Sequence, residues 1–491
     1  MKVIGLSLGC CFCAVAGTPA ALRGAGPLLP EPILTPAVGA RAVCADTPLS
    51  LDFPAPPGLG SSGRIRIFDA VTGKLAAWLD VAAGVATQTI GGIPGFHYYP
   101  VRIFDRLVDI RLPDGTLSPS TEYYVLVDSG ALTEEGAPWP GISDPQTWRF
   151  TTKALPRPGT TRLVVAAGGD GDFCTLQGAI DFIPPGNTVP TTVLLKSGLY
   201  SEIVAFGEKN EIEICGEDRR RTVLSYPNNA VFNPGGGNPY GRPGGNPSEF
   251  EYRTGAVYHR GVFLAHRTKH LTLKNLTIEN TTPQGGLQAE AIILNGLPNS
   301  RAVVEDVDLR SFQDTLQING QAYIHRCRIE GDVDFMWGNG PSFFEDCVCT
   351  ALRAGGYYTQ IRNPPTNHGF VYLHCVFDGS SGCEGNFLSR IDPARFPASE
   401  MVLLDCMLTG SVAPDGWQVG PTHAHTVEIA AGVHFWEARS RDATGKSVPL
   451  ALRHRVSRIL VEPADAPLIA AYSDPSYVLG EKWDPRNAGD H

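Results

Sequence analysis

Beyond its first sixteen residues the 491-residue chain has no apolar run approaching the 18 or more residues that a membrane span needs. Stable membrane insertion is therefore not expected. Basic charge is short as well: 40 Lys and Arg stand against 50 Asp and Glu, a formal net charge of −10. Binding to a polyphosphate draws on an excess of cations, so nucleic acid is not an expected partner. The same deficit argues against tight non-specific binding of any polyanion unless a local basic groove overrides the average. A histidine ligand set is missing too. His423-Ala424-His425 has no acidic or thiol partner at ligand spacing, and neither a metal nor a cofactor is expected.

What the chain has in quantity is turn residues, 55 Gly and 40 Pro, which fit a mostly β chain. Its start, Met1-Lys2 followed by an apolar stretch closing on Ala14-Val15-Ala16, carries the charge, core and A-x-A site of an export signal over residues 1–16. Ser7-Leu8-Gly9-Cys10 is an imperfect lipobox and leaves a lipoprotein signal as the alternative. Either reading places the protein outside the cytoplasm, secreted or periplasmic. Removing residues 1–16 takes away Cys10, Cys11 and Cys13 and leaves nine of twelve cysteines, an odd number that cannot pair completely.

Composition then divides the chain. Residues 17–60, rich in Pro, Gly and Ala, read as a flexible segment. Residues 61–155 carry alternating runs such as Gly63-Arg64-Ile65-Arg66-Ile67-Phe68 and Glu122-Tyr123-Tyr124-Val125-Leu126-Val127, separated by turns like Pro113-Asp114-Gly115. Short punctuated strands predict a small β-sandwich, and Thr147-Trp148-Arg149-Phe150-Thr151-Thr152 resembles the close of bacterial Ig-like modules. No aromatic platform for sugar stands out there. Pro156-Arg157-Pro158-Gly159 marks a linker, and residues 160–491 form the second unit. A monomer is expected.

That second unit repeats. Asn275-Leu276-Thr277-Ile278, Asp306-Val307-Asp308-Leu309, Arg326-Cys327-Arg328-Ile329, Asp346-Cys347-Val348-Cys349, His374-Cys375-Val376-Phe377 and Asp405-Cys406-Met407-Leu408 are apolar in their second and fourth places. Period-2 alternation predicts strands, and steps of 31, 20, 20, 28 and 31 residues between second places predict one such strand per coil of a solenoid. Cys327, Cys347, Cys375 and Cys406 then stack in one inward ladder, as apolar filler rather than as ligands.

Two acids stand out against this repeat: Asp314 in Gln313-Asp314-Thr315-Leu316 and Asp334 in Asp332-Val333-Asp334-Phe335, 20 residues apart. A coil of roughly 20 to 30 residues puts them on adjacent rungs. Neighbouring carboxylates do not both ionise easily, so one tends to hold a proton while the other acts as nucleophile or base.

Further segments in order are Gly169-Asp170-Gly171-Asp172-Phe173, Leu176-Gln177-Gly178-Ala179-Ile180, Lys196-Ser197-Gly198-Leu199-Tyr200, Leu273-Lys274-Asn275-Leu276-Thr277-Ile278, Leu287-Gln288-Ala289-Glu290-Ala291 and the tail Ser473-Asp474-Pro475-Ser476-Tyr477-Val478-Leu479. Together with the two acidic motifs they resemble the pectin methylesterase family over about two thirds of the chain. The resemblance implies an all-β fold, a right-handed parallel β-helix preceded here by the small Ig-like sandwich, and hydrolysis of methyl esters on the galacturonate units of pectin. It assigns Asp334 as the nucleophile that forms an acyl-enzyme and Asp314 as the acid that protonates departing methanol and then serves as base. Gln288 and Gln313 would donate to the oxyanion, and Arg390 would pair with the nucleophile, fixing it and lowering its pKa.

Departures and alternatives accompany the resemblance. The family continues Pro-Trp after its arginine, whereas this chain reads Ile391-Asp392-Pro393; Trp337 or Tyr358 are the candidate replacements in substrate binding. Strict alternation from Asp334 puts Met336 on the groove face and Trp337 inside. Asp392 would disfavour a charged galacturonate beside the site. Gln313 and Asp314 are adjacent, so both face the groove only if the chain bends there. Gln288 and Gln313 fit a structural amide ladder, Arg390 a surface ion pair, and Asp170 with Asp172 either a calcium loop or, more simply, a turn and N-cap. The Gly- and Pro-rich stretch 233–246 reads as a loop on the binding face or a surface excursion. A glycoside hydrolase, a lyase, an esterase on another polysaccharide and a non-catalytic polysaccharide-binding solenoid are the competing functions.

Overall fold

One-residue corners with left-handed backbone set the architecture of the larger unit. Asn275, Asp306, Arg326, Asp346, His374 and Asp405 have φ between 51° and 59°, a conformation that costs most L residues energy and that Asn and Asp tolerate best. Each is followed by one buried apolar residue, Leu276, Val307, Cys327, Cys347, Cys375 or Cys406, and then by a new strand. The first two places of the repeated runs are therefore corner rather than strand. The apolar period survives because the second corner residue points inward.

The computed structural model describes residues 31–234, 258–285, 287–420 and 430–487. The export signal, the part of the Gly- and Pro-rich stretch from 235 onward and His423-Ala424-His425 lie outside these residues. Three sheets wind about one axis. The first has eleven strands from Arg162–Val165 to Ser457–Ile459, the second eight from Gly198–Tyr200 to Met407–Leu408, and the third eight from Val204–Gly207 to Trp417–Val419. Neighbouring strands run parallel, in register from coil to coil, which makes the unit a parallel β-helix.

Stacked apolar side chains fill the interior. All nine cysteines of the described residues are free. The ladder thiols lie 3.3 to 3.5 Å from carbonyls of the preceding coil, Cys327 on Val304, Cys347 on Ile324, Cys375 on Phe344 and Cys406 on Tyr372, as small buried filler does. Outside the first sheet, Ile469, Tyr472, Val478 and Leu479 from the helices Ala466–Tyr472 and Pro475–Leu479 pack on Val303, Phe343 and Val402. The chain's tail thus covers the sheet face opposite the core.

The helix Leu176–Phe182 closes the other end. Its N-cap is Thr175, whose hydroxyl accepts the Gly178 N–H at 3.0 Å, not the Asp172 the sequence suggests. Asp172 instead accepts the Val164 N–H at 2.9 Å, which closes the turn, and Asp170 makes an exposed ion pair with Lys196 at 2.6 Å.

The N-terminal unit begins earlier than its composition implies. Residues 33–59, read from composition as part of a flexible segment, contribute four strands, and Leu49, Leu51 and Phe53 are at most 1 % exposed. One sheet holds Ala40–Val43, Arg149–Thr152, Glu122–Val127, Arg64–Asp69 and Leu75–Asp80; another holds Ile33–Thr35, Leu49–Asp52, Leu107–Ile110 and Val101–Phe104. Both bury their inner faces around Ile65, Val125 and Trp148.

This unit is docked on the solenoid rather than merely tethered to it. The hairpin of Ala86–Ile90 and Ile93–Tyr98 sends Ile90 and Phe96 into the solenoid core, and the Phe96 ring stacks 4.2 Å from His259. Gly91, at φ 56°, sits so close to Ala205 that a Cβ there would lie 1.8 Å from its carbonyl oxygen. Among the described residues one cluster has metal-ligand types at close range, Cys44, Asp46 and Cys174 within 4.8 Å. Asp46 is already engaged: it accepts the Thr175 N–H at 2.8 Å, the Thr175 hydroxyl at 2.6 Å and the Cys174 N–H at 3.0 Å, which makes it a clamp between the two units.

Candidate active site

The third sheet carries the two acids. Gln288 pairs with Gln313, and Gln313 with Val333, as parallel bridges on successive coils. Asp314 and Asp334 each follow a member of that column by one residue, so they occupy the same place on adjacent coils. Both are left-handed, Asp314 at φ 66° and Asp334 at φ 48°. The bend that Gln313 and Asp314 require is thus present, and backbone strain of this kind gathers where side-chain aim matters. Gly331 makes the approach possible, since a Cβ there would meet the Phe335 Cβ at 2.1 Å and the Phe312 carbonyl oxygen at 2.7 Å.

The left-handed turn at Asp334 also reverses the parity of the strand. Between Val333 and Met336 the register against Tyr357–Thr359 slips by one residue. Met336 therefore points inward, fully buried, with its sulfur 3.7 Å from the Cys349 thiol and 3.6 Å from the Tyr372 hydroxyl. Trp337 falls in line with Gln317 and Gln360 on the outer row. The alternation-based placement of Met336 in the groove and Trp337 inside is corrected accordingly. Tyr358 is a core residue as well, 0 % exposed, its hydroxyl 2.5 Å from the Asp378 carbonyl; the half-buried Tyr357 faces out instead.

Asp334 is gripped from two sides. Arg390 Nε lies 2.9 Å from Oδ1 and 3.1 Å from Oδ2, and the Gln360 amide donates to Oδ2 at 3.1 Å. Arg362 donates from Nε to Gln360 Oε1 at 2.8 Å, and again from Nη2, which fixes the amide with its NH2 toward the carboxylate. Burial lifts the Asp334 carboxyl above the ordinary range, with Arg390 and Arg362 pulling it back. A net lowering by Arg390 was the expectation; desolvation outweighs it because the carboxylate is only 5 % exposed.

Asp314 is raised well above the ordinary range. Burial is the main cause, Glu290 and Asp334 add to it, and Arg260 and Arg362 oppose it. Among the described residues its charge-pair partner is Arg260, Nη2 to Oδ2 at 3.2 Å, and Arg260 also binds Glu290.

Gln288 and Gln313 are both half-buried and stacked at the edge of this cluster. Arg390 lies 4.4 Å over the Tyr357 ring, and Tyr357 stacks on Phe387 at 5.8 Å. Arg362 lies 4.7 Å over the Trp337 ring. Beyond Arg390 opens a cavity of about 560 Å³, lined among others by Gln360, Phe387, Asp392, Asp415 and Gln418. Arg260, Glu290, Tyr357, Gln360 and Arg362 were not singled out from the sequence. Only Gln360-Ile361-Arg362 left a trace there, two polar residues two apart around an apolar one at the end of the strand Tyr357–Ile361.

A family model described as Pectinesterase matches residues 247–430. Pectinesterase 31 of Arabidopsis thaliana is 30 % identical over 267 residues, which cover 52 % of this chain and 77 % of the relative. Pectinesterase QRT1 of the same plant is 29 % identical over 328 residues, 65 % of this chain and 78 % of the relative. Among solved structures, a pectin methylesterase from carrot superposes with a TM-score of 0.52 at 20 % identity, covering 65 % of this chain and 92 % of its own. The enzyme from Aspergillus niger gives 0.51 at 18 % identity, covering 68 % and 99 %. At those identities the structural likeness speaks for the fold.

Proposed function

The chain belongs to the pectinesterase family, and from that premise we propose that it is a carboxylic ester hydrolase that removes methyl esters from the galacturonate units of pectin, releasing methanol and pectate. The observation that carries the reading is the unequal treatment of two carboxylates at equivalent places on adjacent coils. Asp334 is gripped by Arg390 and Gln360, which favour its charged form against burial; Asp314, buried beside Glu290 and Asp334, is pushed much further toward its neutral form. A nucleophile and a proton donor are thereby distinguished by environment alone.

In this mechanism Asp334 attacks the ester carbonyl carbon, forming a C–O bond and an oxyanion. The amides of Gln288 and Gln313 donate to that oxygen, each such donor being worth on the order of a hundredfold in rate. Collapse expels methoxide, which takes the Asp314 proton and leaves as methanol. Asp314, now ionised, accepts a proton from water as it attacks the acyl-enzyme, and the cycle returns Asp334 as the carboxylate. Arg390 and Gln360 hold the nucleophile in one rotamer, so that little orientation entropy remains to be lost.

Trp337, Tyr357 and Phe387 supply the apolar side of the groove that the absent Trp after Arg390 would otherwise provide. The N-terminal unit fits the Ig-like reading in one detail. The Tyr123 hydroxyl accepts the Ser118 N–H at 2.8 Å, the kind of corner bond that sandwiches of that class use. We read the protein as acting outside the cytoplasm, where its polymer is found.

The test is methanol release from highly methylated pectin by wild type and Asp334→Asn, with viscosity and ultraviolet absorbance followed in the same tubes. Methanol from wild type alone, without chain scission or new unsaturated ends, is the expected result. Scission or new absorbance would move the protein to the hydrolases or lyases.

A further inference from the structure

Glu290 and Arg260 have no part in the reaction just outlined, yet they lie against its proton donor. Arg260 is 3 % exposed and Glu290 0 %. Arg260 Nε lies 2.8 Å from both oxygens of Glu290, and Nη2 lies 2.7 Å from Oε1. The same Nη2 reaches Asp314 Oδ2 at the longer distance of 3.2 Å. Tyr258 backs the guanidinium at 4.2 Å. The closer, multiple contact thus goes to Glu290, and Asp314 receives what is left. Buried ion pairs seldom stabilise a fold better than apolar side chains of the same volume, so stability does not account for one placed here.

We propose, resting on the acid/base role given to Asp314 above, that Glu290 is a positioning residue for that acid: it occupies the Arg260 guanidinium, so that Asp314 faces a half-neutralised cation and keeps the proton that departing methanol requires. The charged groups facing Asp314 are Arg260, Glu290, Asp334, Arg362 and Arg390. Arg390 is committed to Asp334, and Arg362 to Gln360. Of the two acids beside Asp314, Asp334 loses its charge when it becomes acylated, whereas Glu290, whose carboxyl is raised by burial and pulled back by the Arg260 guanidinium, takes no part in acylation and stays paired with Arg260. Acylation therefore removes one of the charges that hold the proton on Asp314, which favours its change from acid to base. Glu290 sets the level from which that change starts. Without it, Arg260 is free to close on Asp314, and a carboxyl beside an unshared guanidinium ionises at lower pH.

The experiment compares wild type, Glu290→Gln and Glu290→Asp by the pH profile of kcat/KM for methanol release, with thermal unfolding as a check on folding. The alkaline limb of Glu290→Gln is expected to move toward acid by about one pH unit or more, and Glu290→Asp to stay near wild type. A Glu290→Gln limb that coincides with wild type in a folded protein overturns the proposal. Should Glu290→Gln not fold, the pair Arg260→Met with Glu290→Met removes both charges. Its limb is expected to stay or move toward alkaline, and a shift toward acid overturns the proposal. Infrared difference spectra of the carboxyl C=O stretch, taken against Asp314→Asn, report the Asp314 proton without turnover. A proton present at neutral pH in wild type and lost in Glu290→Gln supports the proposal even if pectin proves the wrong substrate; a proton absent from wild type overturns it.

Discussion

Arg390 reaches back across 56 residues of sequence to hold both oxygens of Asp334, its Nε 2.9 Å from one and 3.1 Å from the other. A guanidinium can bridge a carboxylate in this way because its donors are fixed in a plane; a lysine ammonium offers a point charge without that geometry. Arg390→Lys keeps the charge and loses the fork. Its kcat on methylated pectin should fall on the order of a hundredfold with KM little changed, read from initial rates of methanol release. A drop confined to KM would mean that Arg390 serves substrate rather than nucleophile.

Gln360 transmits the position of Arg362 to Asp334, accepting from one and donating to the other. Gln360→Glu replaces that donor by an anion next to an anion. It should cost more activity than Gln360→Met, which only removes the bond, and the two together bracket the contribution of the amide. Equal losses would show that volume, not the hydrogen bond, is what the position supplies.

Much of this fold is legible in the chain because stacking imposes it. Leu276, Val307, Cys327, Cys347, Cys375 and Cys406 occupy one inward ladder, and a ladder leaves a repeat in sequence. The two acids are legible for the same reason, since one coil separates them. Which neighbours share their face is not legible, because parity depends on left-handed backbone at Asp314 and Asp334, and φ has no letter in the sequence. Alternation counted through Asp334 misplaces both Met336 and Trp337. Arg260 is hidden for another reason: it meets Asp314 across 54 residues, at a contact that no local pattern marks. The docked hairpin escaped notice because Ile90 and Phe96 read as ordinary strand residues of their own sandwich until the solenoid supplies their partners.

Tyr357 and Trp337 back the two arginines of the site unequally. Tyr357 is half-buried under Arg390, whereas Trp337 is 4 % exposed beneath Arg362. Tyr357→Ala should therefore raise KM by about two- to tenfold with kcat less affected. Trp337→Ala, which withdraws the support of Arg362 and so of Gln360, should lower kcat. Kinetics on a pectin of fixed methylation separate the two.

Glu400 ties the first sheet to the C-terminal helices. It lies 2.8 Å from His368 Nδ1, 2.9 Å from His434 Nδ1 and 2.7 Å from the Tyr472 hydroxyl. Burial opposes its charge, but the His368 and His434 contacts prevail and hold its carboxyl down to about 2. A depressed acid stabilises the fold above its unfolded pKa of roughly 4.3 and loses that contribution as pH falls through the folded value. The amount is on the order of 3 kcal/mol. Wild type should lose stability between about pH 4.3 and the folded value of about 2, and Glu400→Gln, already less stable at neutral pH, should lose less over the same window. Urea unfolding at a series of pH values checks the slope.

Asp392 stands two residues after Arg390 and lines the cavity that opens beyond it, as does a second carboxylate, Asp415. A galacturonate unit entering this space brings a charge of its own unless it is esterified. Two anions in a partly enclosed cleft repel more strongly than in bulk water, so a neutral, methylated neighbour is preferred. The wild type should act faster on highly methylated pectin than on pectin already partly de-esterified, by more than the loss of reactive esters explains. Asp392→Asn should narrow that difference severalfold while leaving the rate on the highly methylated polymer nearly unchanged. Because the repulsion is electrostatic, added salt should narrow the wild-type difference too, and should do less to the variant. If the preference is the same in both proteins and insensitive to salt, the carboxylate of Asp392 does not set it, and the shape of the cavity around Phe387 and Gln418 becomes the term to change.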